Sequence, residues 1–567
     1  MKKLLRALFS RSGVSKITKT WNVHSNFPNW GDLLGRDHVA SRGKTGTAPK
    51  QRVLIATSIG GDAPSTTLES LIAVALIERG AEAEALLCDA SLPACLRGNI
   101  NNYEDPQEFV EHGPKLKYCG GCFEKSEASF GSAGIKVHKY GSYISEAEKA
   151  QADVLSREIS FDDIGQFELN GLAVGEHALA GALRYFARGT LEGQPDAEPV
   201  LRRFLKGSIL TAISVSNLLD REKYDVLVFS HGIYVPLGIV GEVARKKGVR
   251  VVNWVTAYRK QRFIFSHGDT YHHTMISEPV ESWRNIPWTP ELDKRAMDYL
   301  ESRTKGTRDW IWFHEKPEEE MAAIARELGL DLNKPTIGLL TNVVWDAQLH
   351  FKANAFPNMI VWLQESIKYF AKRPDLQLVI RVHPAEIRGT VKSRQRVMDE
   401  IQKAFPNLPP NIFVIAPESP ISTYAVLEVC DSVVIYGTKT GIELTSRGIP
   451  VIVAGEAWIR NKGLTLDAHS QKEYFEILDS LPIGHRLDEE ARTQARKYAY
   501  HFFFRRMIPL PMVVPNEGFP PFKISLANGA SDLAKGKSLG LDVICEGILE
   551  GKDFIYPDEK NIEVQLD

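Results

Sequence analysis

The sequence predicts a protein of the α/β class, in which two domains of repeated β-α-β plan face one cleft. Short runs of apolar, mostly β-branched residues alternate with stretches of helical spacing, and this alternation occurs in each half of the chain. The chain has 567 residues, of which 43% are apolar and 25% are charged. That length and composition allow two or three domains, each with its own hydrophobic core.

The first β-α-β unit begins near residue 53. Its parts are an apolar run at 53–56, a turn with Gly60, Gly61 and Asp62, helical spacing at 68–79 and a second apolar run at 85–87. Crossovers between parallel strands are right-handed in nearly all proteins, so this segment predicts a unit of the Rossmann kind. A glycine pair after a first strand indicates a tight turn and, more weakly, a phosphate site.

A later strand of this half, at residues 226–229, ends in Ser230, His231 and Gly232. Open α/β sheets bind ligands at the carboxyl ends of their strands. A histidine that only fills the core would lie within the apolar run, so we interpret His231 as functional.

Polar groups are concentrated in residues 258–273, which we predict to be a loop. Its hydrogen-bonding side chains include Arg259, His267, Asp269 and Tyr271. This density is typical of a sugar or phosphate site, although a polar surface has the same composition.

The second half repeats the plan from residue 336. A strand at 336–340 leads to a polar segment that ends at Asp346, and a strand at 376–382 carries Arg381 and precedes His383, Pro384 and Glu386. Further strands are predicted at 412–415, 432–436 and 451–453. A cation and an imidazole therefore reach the carboxyl edge of the second sheet.

A turn at 437–441 contains Thr438, Lys439, Thr440 and Gly441, and the helix that follows carries Glu443. Small residues at the start of a helix leave backbone N–H groups exposed in front of the positive end of the helix dipole, which suits a phosphate. Lys439 adds a point charge. Glu443, one turn into the helix, is placed to reach a ribose hydroxyl.

Four of the six cysteines lie between residues 88 and 122. Cys119 and Cys122 form a CxxC pair, which with Cys88 and Cys95 would complete a tetrahedral thiolate zinc site of structural type. Six residues separate Cys88 from Cys95, which is more than zinc sites usually have. Reduced, partly buried thiols are therefore the alternative.

Composition and the N-terminus bear on partners and location. A net charge of −2 argues against nucleic acid as the main partner. No run of eighteen apolar residues exists, so we expect no membrane-spanning segment. Residues 1–20 hold six Lys and Arg residues and no acid, and Arg6 interrupts their apolar core, so we expect no signal peptide. They predict a cytoplasmic protein with a terminus that either contacts the inner membrane peripherally or is solvated.

Six segments carry a resemblance to a known family: HGIYVPLG from residue 231, the loop at 259–273, TNVVWDAQ from 341, RVHPAE from 381, YGTKTGIEL from 436 and WIRNKGLTLDAHSQKEY from 458. They resemble motifs of the capsular polysaccharide biosynthesis family, bacterial proteins that include transferases of Kdo (3-deoxy-manno-octulosonic acid). The resemblance implies a GT-B-type fold, with the nucleotide sugar in the C-terminal domain and the acceptor in the N-terminal domain. The family often has Ser-Thr or Ser-Ser where this chain has Lys439 between two threonines, which leaves the donor open.

The His-Pro pair is also similar to that of bacterial sialyltransferases that use CMP donors. This similarity implies that His383 and Pro384 face the donor phosphate or cytidine, and that Thr438, Thr440 and Gly441 line the same pocket.

We therefore predict a glycosyltransferase with two Rossmann-like domains. It would move a sugar from a nucleotide donor, with CMP-Kdo as one candidate, to a growing capsular or other surface polysaccharide or its lipid-linked primer. No obvious DxD pair is present to serve a metal, so catalysis is expected to need no cofactor. The residues favour neither inversion nor retention. A UDP-sugar 2-epimerase-like enzyme and a non-catalytic capsule assembly or export factor are the alternatives.

These patterns predict a role for each candidate site residue and a division of the chain into domains. Catalytic residues are His231, Asp346 and Asp269; donor-binding residues are Arg381, His383, Pro384, Glu386, Thr438, Lys439, Thr440, Gly441 and Glu443; acceptor-binding residues are Gly60, Gly61, Asp62, Arg259, His267 and Tyr271. The predicted organisation is an irregular basic segment at 1–50, an acceptor domain with a Cys-rich insertion at 51–285, a helical linker at 286–330, a nucleotide-sugar domain at 331–485, and a helix with an extended tail at 486–567.

Overall fold

The computed structural model describes residues 27–41, 51–304, 309, 320–346, 353–389, 391–517 and 520–560. The basic N-terminal segment predicted at 1–20 lies outside these residues.

Six strands of the first domain form one sheet, in which most side chains are buried because helices cover both faces. They are β1 (Arg52–Ser58), β2 (Glu82–Leu87), β3 (Val137–Lys139), β4 (Val226–Ser230), β5 (Arg250–Thr256) and β6 (Arg262–His267). The order is β3-β2-β1-β4-β5-β6, with β1 to β5 parallel and β6 antiparallel to β5. The strand order reverses between β1 and β4.

Six strands of the second domain form an all-parallel sheet. They are β7 (Thr336–Leu340), β8 (Gln377–Arg381), β9 (Ile412–Ile415), β10 (Ser432–Ile435), β11 (Val451–Val453) and β12 (Leu466–Asp467). Their order, β9-β8-β7-β10-β11-β12, reverses between β7 and β10. Both sheets follow the doubly wound plan, so the predicted α/β fold class with two Rossmann-like domains is confirmed.

The helices alternate with the strands and pack on both faces of each sheet. Up to residue 284 they are α1 (Trp30–Leu34), α2 (Arg36–Ser41), α3 (Ala63–Glu78), α4 (Pro106–His112), α5 (Cys122–Ser132), α6 (Glu146–Glu158), α7 (Val174–Phe186), α8 (Ala197–Arg221), α9 (Leu237–Lys246), α10 (Tyr271–Ser277) and α11 (Glu281–Arg284). The later ones are α12 (Pro290–Thr304), α13 (Met321–Leu328), α14 (Met359–Phe370), α15 (Ala385–Arg388), α16 (Val397–Ala404), α17 (Thr423–Glu428), α18 (Thr440–Ser446), α19 (Gln471–Asp479), α20 (Glu489–Tyr500) and α21 (Leu539–Glu550). None of the helices in the described ranges combines the length and apolarity needed to cross a membrane.

The C-terminal segment returns to the first domain. After α20 and a π-helical turn (His501–Arg505), β13 (Ile508–Pro509) pairs with β6. A short hairpin of β14 (Val513–Pro515) and β15 (Phe522–Ile524) follows, and α21 packs into the same apolar core as β1. The stretch predicted as an extended tail thus completes the first domain, because its apolar side chains cover one face of the first sheet.

The loop predicted at 258–273 contains β6. Phe263, Ile264 and Phe265 are buried in the centre of this stretch, and the polar residues around them hide the apolar run in the sequence. Because β6 runs antiparallel to β5, its last residue lies away from the edge where the parallel strands end.

Candidate active site in the interdomain cleft

A cavity of about 160 Å³ lies at the carboxyl edge of the first sheet, where the strand order reverses between β1 and β4. The ends of β1, β4 and β5 and the loop after β2 contribute its walls. Its polar lining residues are Thr57, Asp62, Ser65, Arg97, Ser230, His231 and Thr256. The structure therefore brings the predicted His231 and Asp62 to one cavity.

Two strand ends at this edge hold strained backbone. Ser58, the last residue of β1, and His231, which follows β4, both have a φ of 60° in the left-handed region. Residues other than glycine adopt this region at a cost of about 1–3 kcal/mol, and such strain concentrates at functional sites. The His231 N–H donates to the Trp254 carbonyl at 2.9 Å, which fixes the histidine beside β5.

The glycine turn after β1 packs against α5. A Cβ atom on Gly60 would lie 2.4 Å from the Cys122 carbonyl oxygen, and the Gly61 N–H donates to Cys122 Sγ at 3.0 Å. The Gly61 carbonyl accepts from Arg97 at 3.0 Å. Gly60 and Gly61 thus allow a close approach of α5, while Asp62 is the member of the turn that lines the cavity.

The ends of β7 and β8 lie side by side at the carboxyl edge of the second sheet, next to the reversal point between β7 and β10. The His383 N–H donates to Thr341 Oγ1 at 3.1 Å, and the Ala385 N–H donates to His383 Nδ1 at 3.0 Å. A neutral His383 ring therefore carries its proton on Nε2. Pro384 stands as the cap of α15, directly beside this imidazole.

The side chains of Arg381 and Glu386 form hydrogen bonds within the second domain. Arg381 Nε donates to Thr423 Oγ1 at 3.1 Å and Nη2 to the Ser419 carbonyl at 3.3 Å. Glu386 accepts from the Val397 N–H at 2.8 Å, and burial raises its pKa to about 7. Their bonds brace the loops after β8 and β9, so the structure does not place these two side chains with the turn at 438–441.

The turn before α18 combines tight packing with a half-buried cation. A Cβ atom on Gly441 would lie 2.7 Å from Ile435 Cδ1, so the glycine lets α18 approach β10. The hydroxyls of Thr438 and Thr440 are 3.0 Å apart. Lys439 Nζ lies 4.6 Å from the centre of the Tyr258 ring of the first domain, and burial lowers the pKa of this lysine to about 8.

Glu443 is buried inside an ionic network. Arg303 Nε donates to Glu443 Oε1 at 3.0 Å, and the Tyr424 hydroxyl donates to Oε2. Lys439 Nζ lies 3.7 Å from Oε1. Both carboxylate oxygens are therefore engaged, and the structure does not present Glu443 to a ribose.

The two domains meet beside the cavity. The hydroxyl of Tyr234, three residues after His231, donates to Asp346 Oδ1 at 3.1 Å. The rings of His231 and Tyr234 lie 5.1 Å apart, and those of His231 and Tyr271 lie 6.2 Å apart. This contact joins the loop after β4 to the loop after β7, so His231, Tyr271 and Asp346 border one cleft.

A second contact across the cleft joins α10 to the loop after β11. The Trp458 indole N–H donates to His272 Nδ1 at 3.0 Å, so a neutral His272 carries its proton on Nε2, which lies 3.5 Å from Glu456 Oε2. His273 Nε2 is 3.9 Å from the same oxygen. Burial opposes ionisation of both partners, yet the contact with His272 leaves the pKa of Glu456 below its usual value.

Asp269 supports this contact from the first domain. Its Oδ2 lies 3.1 Å from His273 Nδ1, and Arg245 Nη1 is 3.6 Å from Oδ1. The structure therefore places Asp269 as the partner that orients His273, and places it in the first domain rather than among the cavity-lining residues.

Arg259 and His267 lie outside the cavity. Arg259 donates to the Phe503 carbonyl at 3.1 Å and lies 4.2 Å from the centre of the Phe504 ring. His267 bonds the Lys552 carbonyl at 2.9 Å and stacks on Phe554. Both predicted acceptor residues instead hold the C-terminal segment, because Arg259 precedes the antiparallel strand β6 and His267 is its last residue.

The four clustered cysteines are free thiols behind the glycine turn. Burial raises the pKa of each of them, to about 12 for Cys88 and about 11 for Cys119. Across the ranges that the structure describes, no three Cys, His, Asp or Glu side chains are arranged to hold a metal. The structural zinc stays a prediction.

Metal analysis of the purified protein checks that prediction. If the four thiols bind zinc, reducing preparation should yield about one zinc per chain, and Cys119→Ser should release it and destabilise the first domain. Lys472→Ser is the control, because the Lys472 side chain is 86% exposed and lies in the second domain. This variant should keep the zinc content of the wild type. A zinc-free protein would leave the buried thiols as the correct interpretation.

Sequence reasoning missed several residues of the cleft. Tyr234 lies within the HGIYVPLG motif, and Glu456 and Trp458 follow β11 at its carboxyl end. The rule that pointed to His383, that strand ends meet at the ligand edge, would have found Glu456. Glu69 is the one acidic residue among the buried residues of α3, and it contacts Trp254, which lines the cavity.

These features define an α/β protein with two doubly wound domains and a cleft between their carboxyl edges. Residues 315–478 match a family model described as Capsule polysaccharide biosynthesis protein. The resemblance to that family is therefore confirmed in the second domain. No curated protein matches the chain in sequence.

Similar solved structures include two from Thermosulfurimonas dismutans KpsC. The beta Kdo 2,4 transferase is 15% identical, with 49% of this chain and 80% of that chain covered and a TM-score of 0.31. The beta Kdo 2,7 transferase is 15% identical, with 50% and 79% covered and a TM-score of 0.28. A sucrose-phosphate synthase from Thermosynechococcus elongatus is 12% identical, with 80% and 94% covered and a TM-score of 0.30.

Proposed function

We propose that this protein is a glycosyltransferase that acts in the synthesis of a surface polysaccharide. The donor nucleotide sugar would bind at the carboxyl edge of the second sheet, and the acceptor would enter the cavity of the first. One observation supports this arrangement above all: the hydrogen bond of 3.1 Å between Tyr234 and Asp346 joins the reversal points of the two sheets. Ligands of doubly wound domains bind at such reversal points.

In the proposed reaction, His231 removes the proton from an acceptor hydroxyl in the cavity. The acceptor oxygen then bonds to the anomeric carbon of the donor sugar while the bond between that carbon and the phosphate oxygen breaks. The leaving phosphate carries the negative charge away. His383 Nε2–H and the Lys439 ammonium would stabilise that charge, as groups aimed at developing charge do in a water-poor site.

The donor is proposed to be a CMP-linked sugar such as CMP-Kdo, and the acceptor a growing polysaccharide or its lipid-linked primer. Thermal-shift measurements with CMP, UDP, GDP and CDP test the nucleotide, and we expect the largest stabilisation with CMP. Transfer should continue in EDTA, because side chains rather than a metal would meet the leaving phosphate. Epimerisation of a UDP-N-acetylhexosamine without an acceptor would instead select the epimerase alternative, and nucleotide binding without any turnover would select a non-catalytic factor.

The donor site makes a prediction of its own. His383→Ala and Lys439→Ala should each weaken nucleotide binding by about 1.5–3 kcal/mol, because each removes one charge-assisted contact to a phosphate. Isothermal titration calorimetry measures this change. Lys472→Ala is the matched control, since that lysine lies on α19 and its side chain is 86% exposed. Unchanged affinity in both site variants would remove the donor-site proposal while leaving the cavity untouched.

Peripheral contact with the inner membrane is a separate proposal, which rests on the basic, partly apolar sequence of residues 1–20. Such a segment binds anionic lipid reversibly, and salt screens its Lys and Arg charges. We expect the protein to co-sediment with anionic vesicles at low salt and to be released as salt rises. A chain lacking residues 1–20 should lose this binding and keep its activity on a short acceptor. Equal sedimentation of the two chains would contradict the proposal.

A further inference from the structure

A second concave surface of the first domain is lined by ten residues, of which four are Lys or Arg and one is acidic. This basic groove has a volume of about 500 Å³, and its ionisable lining residues are His112, Lys115, Lys149, Arg203, Lys206 and Glu111. The chain as a whole carries a net charge of −2, so this excess of basic groups is local. Lys115 comes from a short helical turn (Gly113–Leu116), Lys149 from α6, and Arg203 and Lys206 from α8.

Carboxylates balance some of these charges and not others. Lys149 pairs with Glu146 at 2.6 Å, and Lys206 pairs with Asp153. Arg203 instead gives its Nε–H to the Pro93 carbonyl at 2.8 Å and an Nη1–H to the Val110 carbonyl. Among the described residues, neither Arg203 nor Lys115 forms an ion pair with a carboxylate. The groove therefore presents two cationic groups that an external anion could balance.

The groove lies at the same edge of the first sheet as the cavity. Helix α8 leads into β4, and Arg203 stands eighteen residues, or roughly 27 Å, before the end of that helix. The five residues of β4 span only about 16 Å, so Arg203 lies at or beyond the carboxyl edge. Helix α6, which carries Lys149, begins after the carboxyl end of β3.

One loop connects the two surfaces. The residues that follow β2 line the groove at Leu92 and Pro93 and line the cavity at Leu96 and Arg97. Arg203 holds this loop at the Pro93 carbonyl, and Arg184 holds it at the Leu96 carbonyl with a bond of 2.8 Å. A chain-like ligand that ends in the cavity can therefore continue along the loop into the groove.

We propose that the basic groove binds acidic sugar residues that precede the terminal residue of the acceptor. This inference rests on the proposed function, because it assumes that the terminal sugar occupies the cavity. Lys and Arg side chains are suited to carboxylates, and a volume of about 500 Å³ lies in the range of small-ligand sites. The groove is concave, which suits a flexible glycan better than the flat surface of a bilayer.

Calorimetric titration of the full chain with an oligogalacturonate tetramer tests the proposal without any donor. The tetramer should bind and lose affinity as salt rises, whereas maltotetraose should bind much more weakly. Lys115→Glu should weaken binding of the tetramer about fivefold or more, because one attractive charge becomes repulsive. Lys115 is exposed, so the folded domain should tolerate this change. Lys472→Glu on α19 is the control and should bind like the wild type.

His231→Asn separates this proposal from the transferase proposal. That variant should lose transfer and still bind the tetramer, whereas Lys115→Glu should keep transfer to a single-sugar acceptor and lose it selectively for long acidic acceptors. Equal affinity of the wild type for maltotetraose and the galacturonate tetramer would overturn the proposal that the groove binds acidic sugars. Unchanged affinity of Lys115→Glu for the tetramer would overturn it as well. Binding of phosphatidylglycerol vesicles that Lys115→Glu abolishes, with no binding of the tetramer, would also overturn it.

Discussion

His231→Asn is expected to lower kcat by about 10²–10⁴-fold, the usual contribution of a general acid–base group. His231 is the histidine that lines the cavity, and the Tyr234–Asp346 contact places it opposite the donor edge. Asparagine is the suitable replacement, because it tolerates the φ of 60° at this position and yet accepts no proton at neutral pH. Transfer rates with a saturating donor measure the effect.

Two measurements separate loss of the base from loss of the fold. Nucleotide affinity should stay within about twofold of the wild type, since the donor residues belong to the other domain. His485→Asn is the matched control, because His485 is exposed in the loop after α19. A variant at 231 that keeps full kcat would show that another group accepts the proton.

The strands of both sheets were predictable because buried parallel strands are apolar on both faces. Strand β7 has the predicted bounds, β4 is one residue longer at its end, and β8 is one residue shorter than predicted at each end. Strand β3 escaped prediction, because it has only three residues and one of them is exposed. Strand β6 escaped because polar residues surround its short apolar centre. Local pattern therefore predicts an element only where its burial is continuous.

The candidate site was predictable to the extent that it consists of strand ends. His231, His383 and Asp346 follow β4, β8 and β7, and their positions required only the order of elements. Contacts across the cleft were not predictable in this way. The pairing of His272 with Glu456 depends on how the two domains dock, and the sequence carries no local signal for that orientation. Glu443 was predicted to reach a ribose because the sequence carries no signal for its ion pair with Arg303, a residue of the distant helix α12.

Glu69 gives the second large expected effect, a fall in stability as pH rises. This residue of α3 is fully buried behind the cavity wall, and its Oε1 accepts from the Trp254 indole N–H at 2.8 Å. The side chains of Thr57 and Trp254 favour the ionised form of Glu69, but these contacts do not offset its complete burial. Burial raises the pKa of Glu69 from 4.5 to about 8, with the nearby Asp62 adding to the rise.

The direction of the effect follows from proton linkage. Between pH 4.5 and 8 the folded protein keeps the Glu69 proton while the unfolded chain loses it, so the folded state binds more protons and its stability falls as pH rises. Each unit of pKa difference corresponds to about 1.4 kcal/mol, so the free energy of unfolding should fall by roughly 3–5 kcal/mol across this window. The stability that the Glu69 proton contributes is fully present below pH 4.5, the pKa in the unfolded chain, and is lost as pH rises to about 8, the pKa in the folded protein.

Glu69→Gln should remove this dependence, because the amide is neutral in both states and can still accept from Trp254. Chemical denaturation at pH 5 and pH 8 measures the comparison: the variant and the wild type should differ little at pH 5, and the variant should be more stable by roughly 3–5 kcal/mol at pH 8. Glu82→Gln is the control, since that side chain is 53% exposed and should change neither value. Equal stability of Glu69→Gln and the wild type at both pH values would contradict the prediction. It would mean that Glu69 is ionised in the folded protein at pH 8, so that the cavity wall carries a buried negative charge beside Trp254.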